Sequence, residues 1–171
     1  MAELPATDFG GKVVIAARLL DDAAKSAGQK FAFETTHDYN KKRDSKDTDT
    51  KDGKIYSYGA VTTQLKVEMI SSDFALNDMM EGAIDNNSIV EFWRIFTDRP
   101  GKTAGSYVME YMRGRLNSFE ASADADSFVK LSMEVDIDGK PQKGEGAFTV
   151  NDDNNGYTFR DLSVTTPSTG A

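Results

Sequence analysis

Hydrophobic and polar positions alternate with a period of two along most of this chain. Val61, Thr63, Leu65, Val67 and Met69 point one way, while Thr62, Gln64, Lys66 and Glu68 point the other. Successive side chains of a strand leave opposite faces, so this pattern predicts a half-buried strand. Residues 127–138 repeat it, with Val129, Leu131, Met133, Val135 and Ile137 against Lys130, Ser132, Glu134 and Asp136. Residues 29–36 alternate around Phe31 and Phe33, and residues 12–20 form an apolar run, Val13-Val14-Ile15, opened by Gly10-Gly11. Residues 88–96 carry apolar side chains on both faces, which predicts a central, doubly covered strand. Residues 107–119 read as one long strand in which Gly114 predicts a bend or bulge. A last hairpin is expected from residues 147–150 and 157–164 across Asn154-Asn155-Gly156.

One stretch changes period. Leu76, Met79, Met80, Ala83 and Ile84 fall at helical spacing and predict an amphipathic helix over residues 73–86. Ser72 or Asp73 can cap its start, and Asn86-Asn87 can end it. Its methionines read as core filling.

Two stretches carry no such pattern. Residues 38–54 are almost entirely polar, and residues 165–171 read as a flexible tail after a domain spanning residues 1–164. Seven or eight antiparallel strands with one helix predict a mostly β (α+β) fold. The expected architecture is an antiparallel β-sandwich flanked by the helix, with a long polar loop at 38–54.

Composition narrows the chemistry. The 171 residues include 20 Lys and Arg against 28 Asp and Glu, a net charge of −8. That sign disfavours tight binding of nucleic acid or an anionic membrane. The chain has no Cys, which removes disulfides, thiolate metal sites and cysteine nucleophiles and fits a reducing compartment. A single histidine, His37, removes two-His metal motifs. No apolar run approaches a membrane span, and no secretory signal is visible at the start.

Catalytic motifs are likewise missing. The chain has no phosphate loop, dinucleotide fingerprint or Gly-x-Ser-x-Gly. Asn151, Asp153, Asn155 and Gly156 match the first half of a calcium loop, but its twelfth position is Leu162, so the segment reads as a turn. His37 and Asp38 are adjacent and point to opposite strand faces, so adjacency does not make them a catalytic pair. With 28 acids some carboxylate pair arises by chance, which leaves no glycosidase assignment. The sequence therefore predicts no enzyme, no cofactor and no metal. The loop at 38–54 is the candidate interaction element, through Lys41, Lys42, Arg43, Asp44, Lys46, Asp47, Asp49, Lys51 and Asp52. Mixed charge favours a protein partner over phosphate.

Several stretches, taken in order, resemble the major tail protein (tail tube protein) family of long non-contractile-tailed bacteriophages of Gram-positive hosts. They are Met1-Ala2-Glu3-Leu4, Val13-Val14-Ile15, Arg18-Leu19-Leu20, Phe33-Glu34-Thr35-Thr36-His37, Arg43-Asp44-Ser45 and Thr50-Lys51-Asp52-Gly53. Further on come Ile89-Val90-Glu91-Phe92-Trp93, Gly114-Arg115-Leu116-Asn117-Ser118-Phe119 and Leu131-Ser132-Met133-Glu134. The resemblance implies a structural protein of the virion tail, assembled in the host cytoplasm. It implies stacked, hexameric rings that form the tube, and partners that are other copies, a tape measure protein and the proteins at the tube ends. DNA then crosses the lumen without specific binding, and no membrane is involved. Six subunits giving four strands each to a lumen wall would make a circumference of about 115 Å, or about 37 Å across, wide enough for a duplex. Such a wall is expected to be neutral or negative, because each neutralised phosphate would add affinity and slow transit. The competing expectation is a stand-alone virion binding module for a carbohydrate or protein, with Trp93 and Tyr107 as candidate exposed aromatics.

Overall fold

A computed structural model describes residues 7–72 and 74–149. Eight strands and one helix follow in the order β1 (Val13–Leu19), β2 (Gln29–Lys30), β3 (Glu34–Thr50), β4 (Gly53–Ile70), α1 (Phe74–Asp85), β5 (Val90–Pro100), β6 (Ser106–Ser122), β7 (Lys130–Ile137) and β8 (Gln142–Ala147). All eight belong to one open antiparallel sheet of order β2-β1-β5-β6-β7-β4-β3, with β8 added on β6. The mostly β, sandwich-like expectation holds.

β6 makes one sheet behave as two. Its first half pairs with β5 and β8, and its second half, from Gly114 onward, pairs with β7. Gly114 is the junction: a Cβ there would lie 2.3 Å from the Asp136 carbonyl oxygen. Only glycine allows that approach, and the bulge follows between Leu116 and Ser118. The sequence predicts a bend or bulge at Gly114; the structure places the pairing switch there and the bulge at Asn117.

The two halves enclose one core. Ile15, Phe31, Val90, Phe92 and Met112 from one half meet Leu65, Val67, Leu131, Met133 and Val135 from the other. Leu76, Met80 and Ala83 of α1 close it, as the helical spacing predicts. The helix ends where the Asn-Asn pair foretold. Asn87 takes a φ of 49°, Ser88 N–H donates to Ala83 O and Asn87 N–H donates to Ile84 O, a left-handed stop that satisfies the last carbonyls.

β5 is central and covered on both sides, as its apolar faces predict. Val90 and Phe92 enter the main core, while Ile95 packs with Ala16 and Met109 on the opposite face. Trp93 and Tyr107 flank this smaller cluster. The Trp93 ring lies 5.6 Å from Tyr111 and under the Arg18 guanidinium, and Tyr107 meets Phe148 edge-on. Both candidate aromatics are therefore engaged by their own chain. Glu91, buried beside them, accepts from Arg18 Nε at 2.8 Å and from the Tyr111 hydroxyl. Burial first, and the bond to Glu91 second, raise the Tyr111 hydroxyl above its ordinary range.

Three expectations need revision or fall outside. The polar loop at 38–54 is not a loop: β3 runs through it to Thr50, and β4 starts at Gly53. Its strands show no apolar alternation because neither face of that stretch is buried. The expected strand at 147–150 lies earlier, as β8, whose Gln142-Lys143-Gly144-Glu145-Gly146 carries no hydrophobic signal. The later hairpin strand, the Asn151–Gly156 turn and the tail at 165–171 lie outside the described residues.

Candidate assembly interface

β3 and β4 form one long hairpin. Its inner part belongs to the body, where Thr63 to Ile70 of β4 also pair with β7. Beyond Thr63, β4 has only β3 beside it, and the two run out as a ribbon to the turn between Thr50 and Gly53. Nine residues of β3 at about 3.3 Å each make this arm about 30 Å long. The turn is tight: Lys51 and Asp52 form its tip, Gly53 takes a φ of 126°, and the Thr50 hydroxyl donates to Gly53 O.

The root of the arm is anchored by polar groups inside the sandwich. β3 crosses the other half-sheet strand by strand. Ile15 N–H of β1 donates to Glu34 Oε2 at 3.0 Å. His37 Nδ1 meets Glu34 Oε1, and Arg94 Nε of β5 donates to His37 Nε2 at 3.2 Å. Nε2 therefore accepts, and Nδ1 carries the proton toward Glu34. Arg94 also reaches Glu110 Oε2 of β6 at 3.1 Å, and its guanidinium lies over the Tyr39 ring. Lys143 of β8 sits 3.8 Å from Glu110. The His37 and Glu34 side chains are each only 9% exposed. Buried polar and charged groups persist when each has a partner, and here the neutral imidazole bridges Glu34 to Arg94, which Glu110 pairs in turn. His37 does not pair with Asp38, which lies across from Lys66 on the other face.

A bulge sets the faces of the free arm. Arg43 pairs with Val61 and Ser45 with Tyr58, so β4 has two residues, Gly59 and Ala60, where β3 has one. Direct partners in an antiparallel pair share a face. Tyr56, Tyr58 and Val61 are thereby brought to one face, with Arg43, Ser45 and Asp47, and this face continues the core-facing side of Tyr39 and Leu65. Without the extra residue Tyr58 would point away from Val61. Ile55 lies on the opposite face with Thr48. All four apolar side chains are exposed, Tyr58 at 66%.

The nine residues expected to carry the interaction all lie on β3 or its turn. Lys41 is at the root, with its ammonium 5.8 Å from the Tyr39 ring centre. Asp47 and Asp49 share Lys54, at 2.9 and 3.7 Å. Among the described residues, the side chains of Lys42, Arg43, Asp44, Lys46, Lys51 and Asp52 make no ion pair or hydrogen bond of their own. The arm brings these charges onto a common ribbon, but its apolar members, Ile55, Tyr56, Tyr58 and Val61, were missed. A partial signal was present: Asp52-Gly53 is a turn pair followed by a β-prone run from Ile55, although the run before it is polar. From Lys41 to Thr62 the arm holds six cations and four carboxylates, so it carries +2 while the remainder of the chain carries −10.

Among the described residues no group of three or more His, Asp or Glu is placed to hold a metal, and no helix is long and apolar enough to cross a membrane.

Comparison with known proteins fits this architecture. The chain resembles a tail tube of the phage SPP1, solved by solid-state NMR and electron cryo-microscopy, with a TM-score of 0.74 and 23% identity over 95% of this chain and 96% of that one. It also resembles a protein in the tail of an empty gene transfer agent particle refined with C6 symmetry, with a TM-score of 0.61 and 10% identity over 80% and 98%. A third likeness is to a chain in the baseplate of the anti-feeding prophage, with a TM-score of 0.51 and 7% identity over 86% and 98%. No curated protein matches the sequence significantly. The profile describing phage tail tube proteins matches residues 10–143, most of the chain, which therefore belongs to the phage tail tube protein family.

Proposed function

We propose that this chain is a structural, non-catalytic subunit of a phage virion tail that polymerises through its arm into stacked hexameric rings. The observation that carries the proposal is the arm itself: a two-stranded ribbon about 30 Å long, with Tyr56, Tyr58 and Val61 aligned on one exposed face. A lone two-stranded hairpin is marginal in water, and an exposed apolar edge invites another chain. A neighbouring copy supplies the missing cover. Family membership supports the tube, and the six-fold symmetry of the gene transfer agent tail supports hexamers. The tape measure protein, the proteins at the tube ends and transiting DNA follow as partners from the same reading. The −10 carried outside the arm favours a lumen that repels DNA.

Electron microscopy of the purified chain across a concentration series, with sedimentation in parallel, tests this. Rings or tubes with a central channel that appear as concentration rises are the expected result. A compact monomer at every concentration, even with tail-tip proteins added as an initiator, would overturn the proposal.

A further inference from the structure

The arm needs a landing site, and the distribution of exposed apolar side chains points to one. Among the described residues, eight large hydrophobics stand in solvent: Phe9, Phe33, Ile55, Tyr56, Tyr58, Val61, Phe128 and Val129. Four belong to the arm. Three others, Phe33, Phe128 and Val129, gather at the opposite end of the same hairpin. There Ile70 N–H donates to Phe33 O and Ser71 N–H donates to Val129 O, so the ends of β3, β4 and β7 stand in a row. Along β4 the arm's apolar residues lie about 30–50 Å from Ile70 at the patch end, too far for one chain to cover its own patch.

We propose that this end is the receptor for the arm of a second copy. The inference rests on the reading of the arm as the assembly element. Three observations support it. First, charge is complementary. Residues 120–130 contain Glu120, Asp124 and Asp126 against Lys130, a net −2, facing +2 on the arm. Among the described residues these three carboxylates have no ion-pair partner. Second, Phe33 is 67% exposed while holding a φ of 51°. A bulky side chain is rare in that backbone region, and such strain collects at functional positions. Third, a groove of about 470 Å³ adjoins the patch, lined in part by Thr35, Lys66, Glu68, Ile70, Glu120 and Lys130.

The contact is heterologous: two different patches on opposite ends of one molecule. Such an interface does not stop at a dimer. It continues head to tail and closes into a ring where the rotation between copies allows.

The test uses two full-length variants. One carries Phe33→Gly and Phe128→Ser in the patch. The other carries Tyr56→Ser, Tyr58→Ser and Val61→Ser in the arm. Glycine tolerates the backbone at position 33, so the patch variant should melt no lower than the parent chain. A merely structural role for Phe33 would lower that melting temperature. Each variant alone should need at least a tenfold higher concentration to assemble, read by sedimentation. Mixed in equal amounts they keep one intact interface, and should form a heterodimer that grows no further. If the patch variant assembles like the parent while the arm variant does not, the receptor lies elsewhere and the arm reading stands. An arm variant that assembles normally overturns both. A mixture that yields no heterodimer overturns the pairing of these two patches.

Discussion

The body and the arm are made of the same secondary structure under opposite conditions. Along Thr63 to Met69, β4 alternates between buried and exposed positions because a core lies on one side. Ten residues earlier the same strand is exposed on both faces. Its hydrogen-bonded ladder is unbroken between the two, apart from the bulge opposite Asp44. The body is thus explained by its own chain, and the arm is not. A strand that keeps regular pairing and exposed tyrosines without a core behind it is what the proposed assembly role requires.

Substitutions can sharpen this contrast, and the largest effects on folding belong to the body. Phe92 is fully buried between the half-sheets, so Phe92→Ala should cost about 3–5 kcal/mol, read by chemical denaturation. Gly114→Ala should follow, since its Cβ meets the Asp136 backbone at 2.3 Å and the strands must part. A loss of about 1–3 kcal/mol is expected, and an unchanged midpoint would mean that β6 does not turn tightly there. Arg94→Met leaves His37 Nε2 and Glu110 without their donor, and should cost about 1–2 kcal/mol while loosening the arm root in NMR spectra. Tyr58→Ala, by contrast, should change monomer stability by no more than about 0.5 kcal/mol while weakening assembly. A large destabilisation of the monomer would show that the arm packs on its own body.

The smallest effect depends on pH. The folded state holds the Tyr111 hydroxyl above its ordinary value of 10.0, by burial and by its bond to Glu91. Its neutral form is favoured in the fold, so this contribution is complete below about pH 10 and is lost as pH rises through the folded value. Tyr111→Phe should flatten that alkaline decline, followed by denaturation at a series of pH values. An identical decline in both proteins would remove Tyr111 as its source.

How much of this was legible in the sequence follows the same division. The strands around Leu65, Phe92 and Met133 and the helix at Leu76 to Ile84 were readable because burial writes a period into the chain. β8 was not, since Gln142 to Gly146 holds its place by backbone pairing with β6 rather than by apolar side chains. The arm was singled out as a candidate interaction element but misread as a loop, because polar residues on both faces erase the period. Its apolar residues lie after Gly53, outside the stretch that charge alone delimited. The buried chain from Glu34 through His37 and Arg94 to Glu110 was invisible for another reason. Its members come from β3, β5 and β6, and only the crossing of the half-sheets brings them together.

The central claim is that the body folds alone and the arm joins copies. Shortening the arm tests it most directly, by replacing residues 43–61 with a two-residue Asn-Gly turn and comparing melting with tube formation in the same preparation. A cooperative monomer that melts within a few degrees of the parent chain and forms no tubes is the predicted result. Tubes of normal length from the shortened chain would contradict the account.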